Sequence, residues 1–88
     1  MSDWIDKVSE AARYARNIED MVLEIGIELK LEPLGVNVSV GTFTGKNIQV
    51  LVSYLSIEKG ELNILKEMIK QCLKEILDRE NYKRISDD

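Results

Sequence analysis

The stretch from Val36 to Leu55 constrains this chain more than any other. Val36-Asn37-Val38-Ser39-Val40-Gly41-Thr42-Phe43 alternates β-branched residues with small polar ones. After a Thr44-Gly45-Lys46-Asn47 tip the alternation resumes in Ile48-Gln49-Val50-Leu51-Val52-Ser53-Tyr54-Leu55. Period-2 patterning on both sides of a short turn-forming tip predicts a β-hairpin, with strands over 36–43 and 48–55. Lys46 is the one charged residue in the stretch, although 32% of the chain is charged. An uncharged hairpin in so charged a protein needs a reason.

The flanking segments read as helices. Trp4, Val8, Ala11, Ala15, Ile18, Val22, Ile25 and Leu29 are spaced alternately by four and three, which predicts a helix over 3–31. Pro33 ends it, because the residue before a proline is pushed out of the α region. Leu62, Leu65, Ile69, Cys72 and Ile76 repeat the spacing and predict a second helix over 58–81, followed by a polar tail, 83–88, that frays. The expected fold is α+β, in α-β-β-α order, one domain of two long helices packed on the hairpin.

That order has a consequence for assembly. A 29-residue helix is roughly 44 Å long, against roughly 30 Å for a nine-residue strand, so the helix would overhang its hairpin. A lone two-stranded hairpin is marginal, and these strands carry neither the charge nor the proline that guards an open edge. The pattern therefore predicts a homo-oligomer in which a second subunit extends the sheet. Trp4, Ala11 and Ala15, with Phe43, Leu51 and Leu55, are the expected oligomer or partner contacts; the alanines are small enough for a helix to approach closely.

Composition narrows the chemistry. The chain has 88 residues, a net charge of −4, one cysteine and no histidine. Without imidazole there is no His-based acid–base catalysis and no Ser-His or Cys-His pair. Cys72 alone makes neither an intrachain disulfide nor a zinc site, and on its apolar seam it reads as a small core residue. No cofactor or metal is expected. No apolar run approaches the ~20 residues of a membrane span, so a cytoplasmic protein without a membrane partner is expected. The acidic excess lies in residues 1–32, and nucleic acid is not expected as the main partner.

Local motifs add little catalytic signal. Gly41-Thr42-Phe43-Thr44-Gly45-Lys46 falls one residue short of phosphate-loop spacing, and Asn47 replaces the magnesium-binding hydroxyl. The loop also leads into a strand, with no helix N-terminus to receive a phosphate. Ser56-Ile57-Glu58-Lys59 has the Ser-x-x-Lys spacing without any companion motif, and a helix cap accounts for it better. Lys66, Lys70 and Lys74 could form a nucleic-acid stripe on the second helix. They are interleaved with acids, however, as on an ordinary solvated face.

The second face of the hairpin remains. Asn37, Ser39, Gln49 and Ser53 can donate and accept hydrogen bonds without charge, and Lys46 stands beside them at the tip; they form the candidate ligand face. The resulting expectation is a non-enzymatic, acidic, homo-oligomeric protein-binding module: an adaptor or inhibitor, by analogy a regulator or phage-type accessory protein. The alternatives are a small-ligand or nucleotide binder with its site at a subunit interface, or a nucleic-acid binder using the lysine stripe.

Overall fold

A computed structural model of the chain describes residues 3–86. The elements run α1 (Asp3–Met21), β1 (Ile25–Leu31), β2 (Gly35–Thr42), β3 (Asn47–Ser53), α2 (Tyr54–Lys59) and α3 (Ile64–Ser86). The three strands form one antiparallel sheet in the order β1-β2-β3. The α+β class is as the patterning predicts. No helix among the described residues is long and apolar enough to cross a membrane.

The hairpin forms as predicted, and its tip is turn chemistry. Thr42 N–H donates to Lys46 O at 2.9 Å, Gly45 N–H donates to Thr42 O at 3.1 Å, and Gly45 takes a φ of 95°. That positive φ is the reason for glycine at this position. The first helix, however, does not extend to Leu31. It ends at Met21, and Ile25–Leu31 pairs with β2 from Ile25↔Thr42 to Leu31↔Val36. Ile25 and Leu29 lie four apart, a separation that fits both the helical and the strand period. Ile27 and Leu31 continue the alternation, and Gly26 would cost a helix interior about 1 kcal/mol. A third strand also supplies the pairing that a lone hairpin lacks.

The order is therefore α-β-β-β-α-α. At 19 residues α1 is roughly 28 Å long, comparable to the sheet, so the predicted overhang is absent. The second helix is also divided. Ser53 caps α2: its Oγ accepts from Ser56 N–H at 3.2 Å and donates to Ser56 Oγ at 2.9 Å, which ends β3 before Leu55. The chain breaks at Gly60 and restarts at Asn63, whose Oδ1 accepts from Leu65 N–H at 3.1 Å. Leu62 falls in this break and is exposed. Helix α3 continues past Asn81 to Ser86, so the segment expected to fray is helical to that point; residues 87 and 88 lie outside the described residues.

The core lies between one face of the sheet and the helices. Val36, Val38 and Val40 of β2 are completely buried, as are Ala11 of α1, Ile57 of α2 and Leu65, Ile69 and Ile76 of α3. Burying an aliphatic side chain of this size contributes about 1.5–3 kcal/mol, so this row and its partners dominate the fold's favourable energy. Polar ties fix the corners. Lys7 Nζ donates to Ile57 O at 2.7 Å and to Gly60 O, while Asn63 Nδ2 donates to Lys7 O at 2.7 Å. Tyr54 packs against Trp4 with the rings tilted and their centroids 4.8 Å apart, and its hydroxyl donates to Glu32 O at 2.6 Å.

Gly35 is the most constrained point of the sheet. A Cβ there would lie 2.1 Å from Val52 O, a backbone atom that cannot move aside. Gly35→Ala is expected to destabilise the protein by about 3 kcal/mol or more, measured by thermal or urea unfolding followed by circular dichroism.

Candidate functional site

The helices cover only one face of the sheet. Strand alternation turns Gly26, Glu28 and Lys30 of β1 to the other face, with Gly41, Ser39 and Asn37 of β2 and Asn47, Gln49 and Leu51 of β3. Two rows are tied across the strands: Asn37 Nδ2 donates to Gln49 Oε1 at 3.4 Å, and Ser39 Oγ donates to Asn47 Oδ1 at 3.0 Å. Charge sits at the β1 side, and the centre is neutral and hydrogen-bonding. Two shallow depressions mark this face. One, of about 330 Å³, is lined by Glu28, Lys30, Glu32, Asn37, Ser39, Asn47 and Gln49. The other, of about 340 Å³, lies toward the β2–β3 tip and includes Gly26, Gly41 and Phe43.

The expected ligand face thus comes together in part. Asn37, Ser39 and Gln49 share it, as the alternation predicts. Ser53 points the same way, but its hydroxyl is engaged in capping α2. Lys46 is half-buried at the tip rather than on the face. Gly26, Glu28 and Lys30 also belong to the face, which a helical reading of 25–31 hides. The alternation of Ile25, Ile27, Leu29 and Leu31 is the signal that marks them.

The expected oligomer contacts divide. Ala11 and Ala15 lie in the core that α1 shares with α3 and the sheet, so the helix they admit belongs to the same chain. Trp4 is half-buried against Tyr54. Phe43, Leu51 and Leu55 are exposed, Phe43 to 81%.

Sheet edges differ too. Antiparallel strands present their N–H groups alternately inward and outward. On β1 the outward Ile27 N–H is taken by Glu19 Oε2 at 3.1 Å, and Glu28 and Lys30 place charge along the strand. On β3 the bond from Thr42 to Lys46 O sets the phase, so Gln49 and Leu51 turn their N–H groups outward. No hydrogen bond from either is made among the described residues, and β3 contains no charged residue.

The lysine stripe is drawn into local partners. Lys66 Nζ pairs with Glu10 at 3.2 Å and lies 5.2 Å from the centre of the Tyr14 ring. Lys70 pairs with Glu67 at 3.6 Å and lies 5.8 Å from the same ring. Lys74 is exposed one turn further on. Cys72 is buried in the core, and desolvation, with a smaller contribution from Glu75, pushes its thiol pKa up. Among the described residues, no group of three or more His, Cys, Asp or Glu is arranged to hold a metal ion. No protein-family model matches the chain, and no curated protein or solved structure matches it either.

Lys66, by hydrogen bonding and then by its charge, lowers the Glu10 pKa. A carboxylate whose pKa is depressed by folding stabilises the fold above its unfolded pKa, and that contribution is lost as pH falls through the folded pKa. The difference in melting temperature between the native protein and Glu10→Gln is therefore expected to shrink on acidification through the carboxylate range. Paired melts across that range check it.

Proposed function

We propose that this chain is a non-enzymatic protein-binding module, an adaptor or inhibitor, that offers its uncovered sheet face to another protein and self-associates along β3. The carrying observation is the outer sheet face: three strands wide, neutral at its centre, and covered by no described element. Short amide and hydroxyl side chains there suit hydrogen bonding to a partner at low desolvation cost. The absence of histidine from the whole chain supports a non-catalytic role.

The alternatives have weaker support. Small-ligand sites are concave and mostly apolar, whereas the depressions on this face are shallow and lined largely by polar groups. A nucleic-acid stripe needs uncommitted cations, and Lys66 and Lys70 are engaged with Glu10, Glu67 and Tyr14. Self-association rests on β3, because an uncharged open edge can pair with its own copy antiparallel across a two-fold axis.

Two measurements test this reading. A photo-crosslinking amino acid at Gln49, introduced in the native cell, is expected to capture a distinct second protein; the same group at Lys74 is not. Equal capture at both sites, or none at Gln49, would overturn the partner assignment. Sedimentation at micromolar concentration is expected to give a dimer that Leu51→Pro converts to a folded monomer, since proline removes only an outward donor there. A monomeric native protein rules out the β3 pairing.

A further inference from the structure

Gly26 is a glycine without an internal reason. Its φ is not positive, and a Cβ built there meets nothing within 4 Å. Gly26 is the second residue of β1, and glycine there leaves bare backbone that another molecule can approach closely. Its cross-strand neighbour is Gly41, so two adjacent strands show bare backbone at one level of the outer face. Gly41 has its own explanation, because a Cβ there would lie 2.9 Å from Lys46 O. Together they make a flat floor.

The surroundings of that floor define what fits it. Phe43 lines the same depression and is the most exposed large apolar residue among those described. Phe43 N–H donates to Glu24 O at 3.3 Å, which holds the tip against the α1–β1 turn. Glu19 and Glu28 also line the depression, and no lysine or arginine does. Glu19 is committed to the Ile27 N–H, whereas Glu28 is exposed on the outer face. A planar floor, an exposed aromatic ring and a carboxylate are complementary to a planar cation. Guanidinium stacks on aromatic rings and pairs with a carboxylate through two parallel bonds; a compact, strongly hydrated ammonium does neither as well. The acidic lining repels a phosphate backbone, so a protein segment fits better than RNA or DNA.

We propose that the sheet face at Gly26 and Gly41 receives an arginine from a partner protein segment, its guanidinium flat on the glycines, against Phe43 and paired with Glu28. This rests on the protein-binding reading above and gives the partner its chemistry.

The test uses the ¹⁵N-labelled full chain and two blocked pentapeptides, Leu-Arg-Leu-Arg-Leu and Leu-Glu-Leu-Glu-Leu. The arginine peptide is expected to shift the amides of Gly26, Gly41 and Phe43 saturably by about 1 mM, and the glutamate peptide to leave them in place. Glu28→Gln and Phe43→Ala are each expected to weaken binding about fivefold. Gly26→Val separates binding from folding: its side chain enters open space and suits a strand, so the melting temperature holds or rises while binding is lost.

No saturable shift, equal response to both peptides, or unchanged binding by Gly26→Val would overturn the proposal. So would concentration-dependent shifts of the same amides without peptide, which would assign the floor to a second copy of the chain. If the peptide fails while crosslinking at Gln49 still captures a partner, only the arginine site is lost. If both fail, the protein-binding reading falls with it.

Discussion

The fold depends on the burial of one row of side chains, Val36, Val38 and Val40, beneath the helices. Among the described strands β2 alone is paired on both edges, and these three valines, with Thr42 at its end, form its inner face. A one-residue slip in either register would send the valines to solvent and bring Asn37 and Ser39 into the core. The register is thus held by burial on one face, and the polar character of the other face follows from the same alternation. The open face is therefore a product of the strand pattern that builds the core, with no separate element needed to shape it.

Around that row the connections are held by polar contacts between elements distant in sequence. Lys7 holds carbonyls at Ile57 and Gly60, Asn63 returns a bond to Lys7 O, and Tyr54 reaches Glu32. The ties to Ile57 O, Gly60 O and Glu32 O satisfy backbone carbonyls at a turn or helix end, where ladder bonds run out, whereas Lys7 O lies within α1. The start of α1, the break before α3 and the β1–β2 turn are thereby joined at one end of the molecule. The opposite end exposes Met21, Leu23 and Phe43, while Leu34, Leu55 and Leu62 are exposed at the fastened end, so apolar surface is present at both.

Much of this was legible in the residues. The hairpin and its tip follow from strict alternation and from Gly45, and the α3 seam of Leu65, Ile69, Cys72 and Ile76 follows from three-four spacing. β1 was hidden because an interval of four satisfies both periods, so Val22, Ile25 and Leu29 continued the pattern of α1 without belonging to it. Only Gly26, together with the added positions Ile27 and Leu31, distinguished the two. A helical reading of 25–31 hides the β1 row of the outer face, and the third strand removes two grounds for a second subunit, the helix overhang and one of the two open hairpin edges. Ala11 and Ala15, expected at a contact with a second subunit, lie in the chain's own core. The Lys7 clamp left no trace in the sequence, since a carbonyl acceptor has no residue type.

The lone thiol of Cys72 lies inside the core, between the helices and the valine row, and burial keeps it protonated. Alkylation needs an exposed thiolate, so it waits on an opening of the α3–sheet interface. The rate at which a maleimide reacts therefore reports how often the core itself opens, separately from any motion of the outer face. The chain carries one internal gauge of its own integrity, and a ligand on the open face would slow that gauge only to the extent that it stabilises the whole fold.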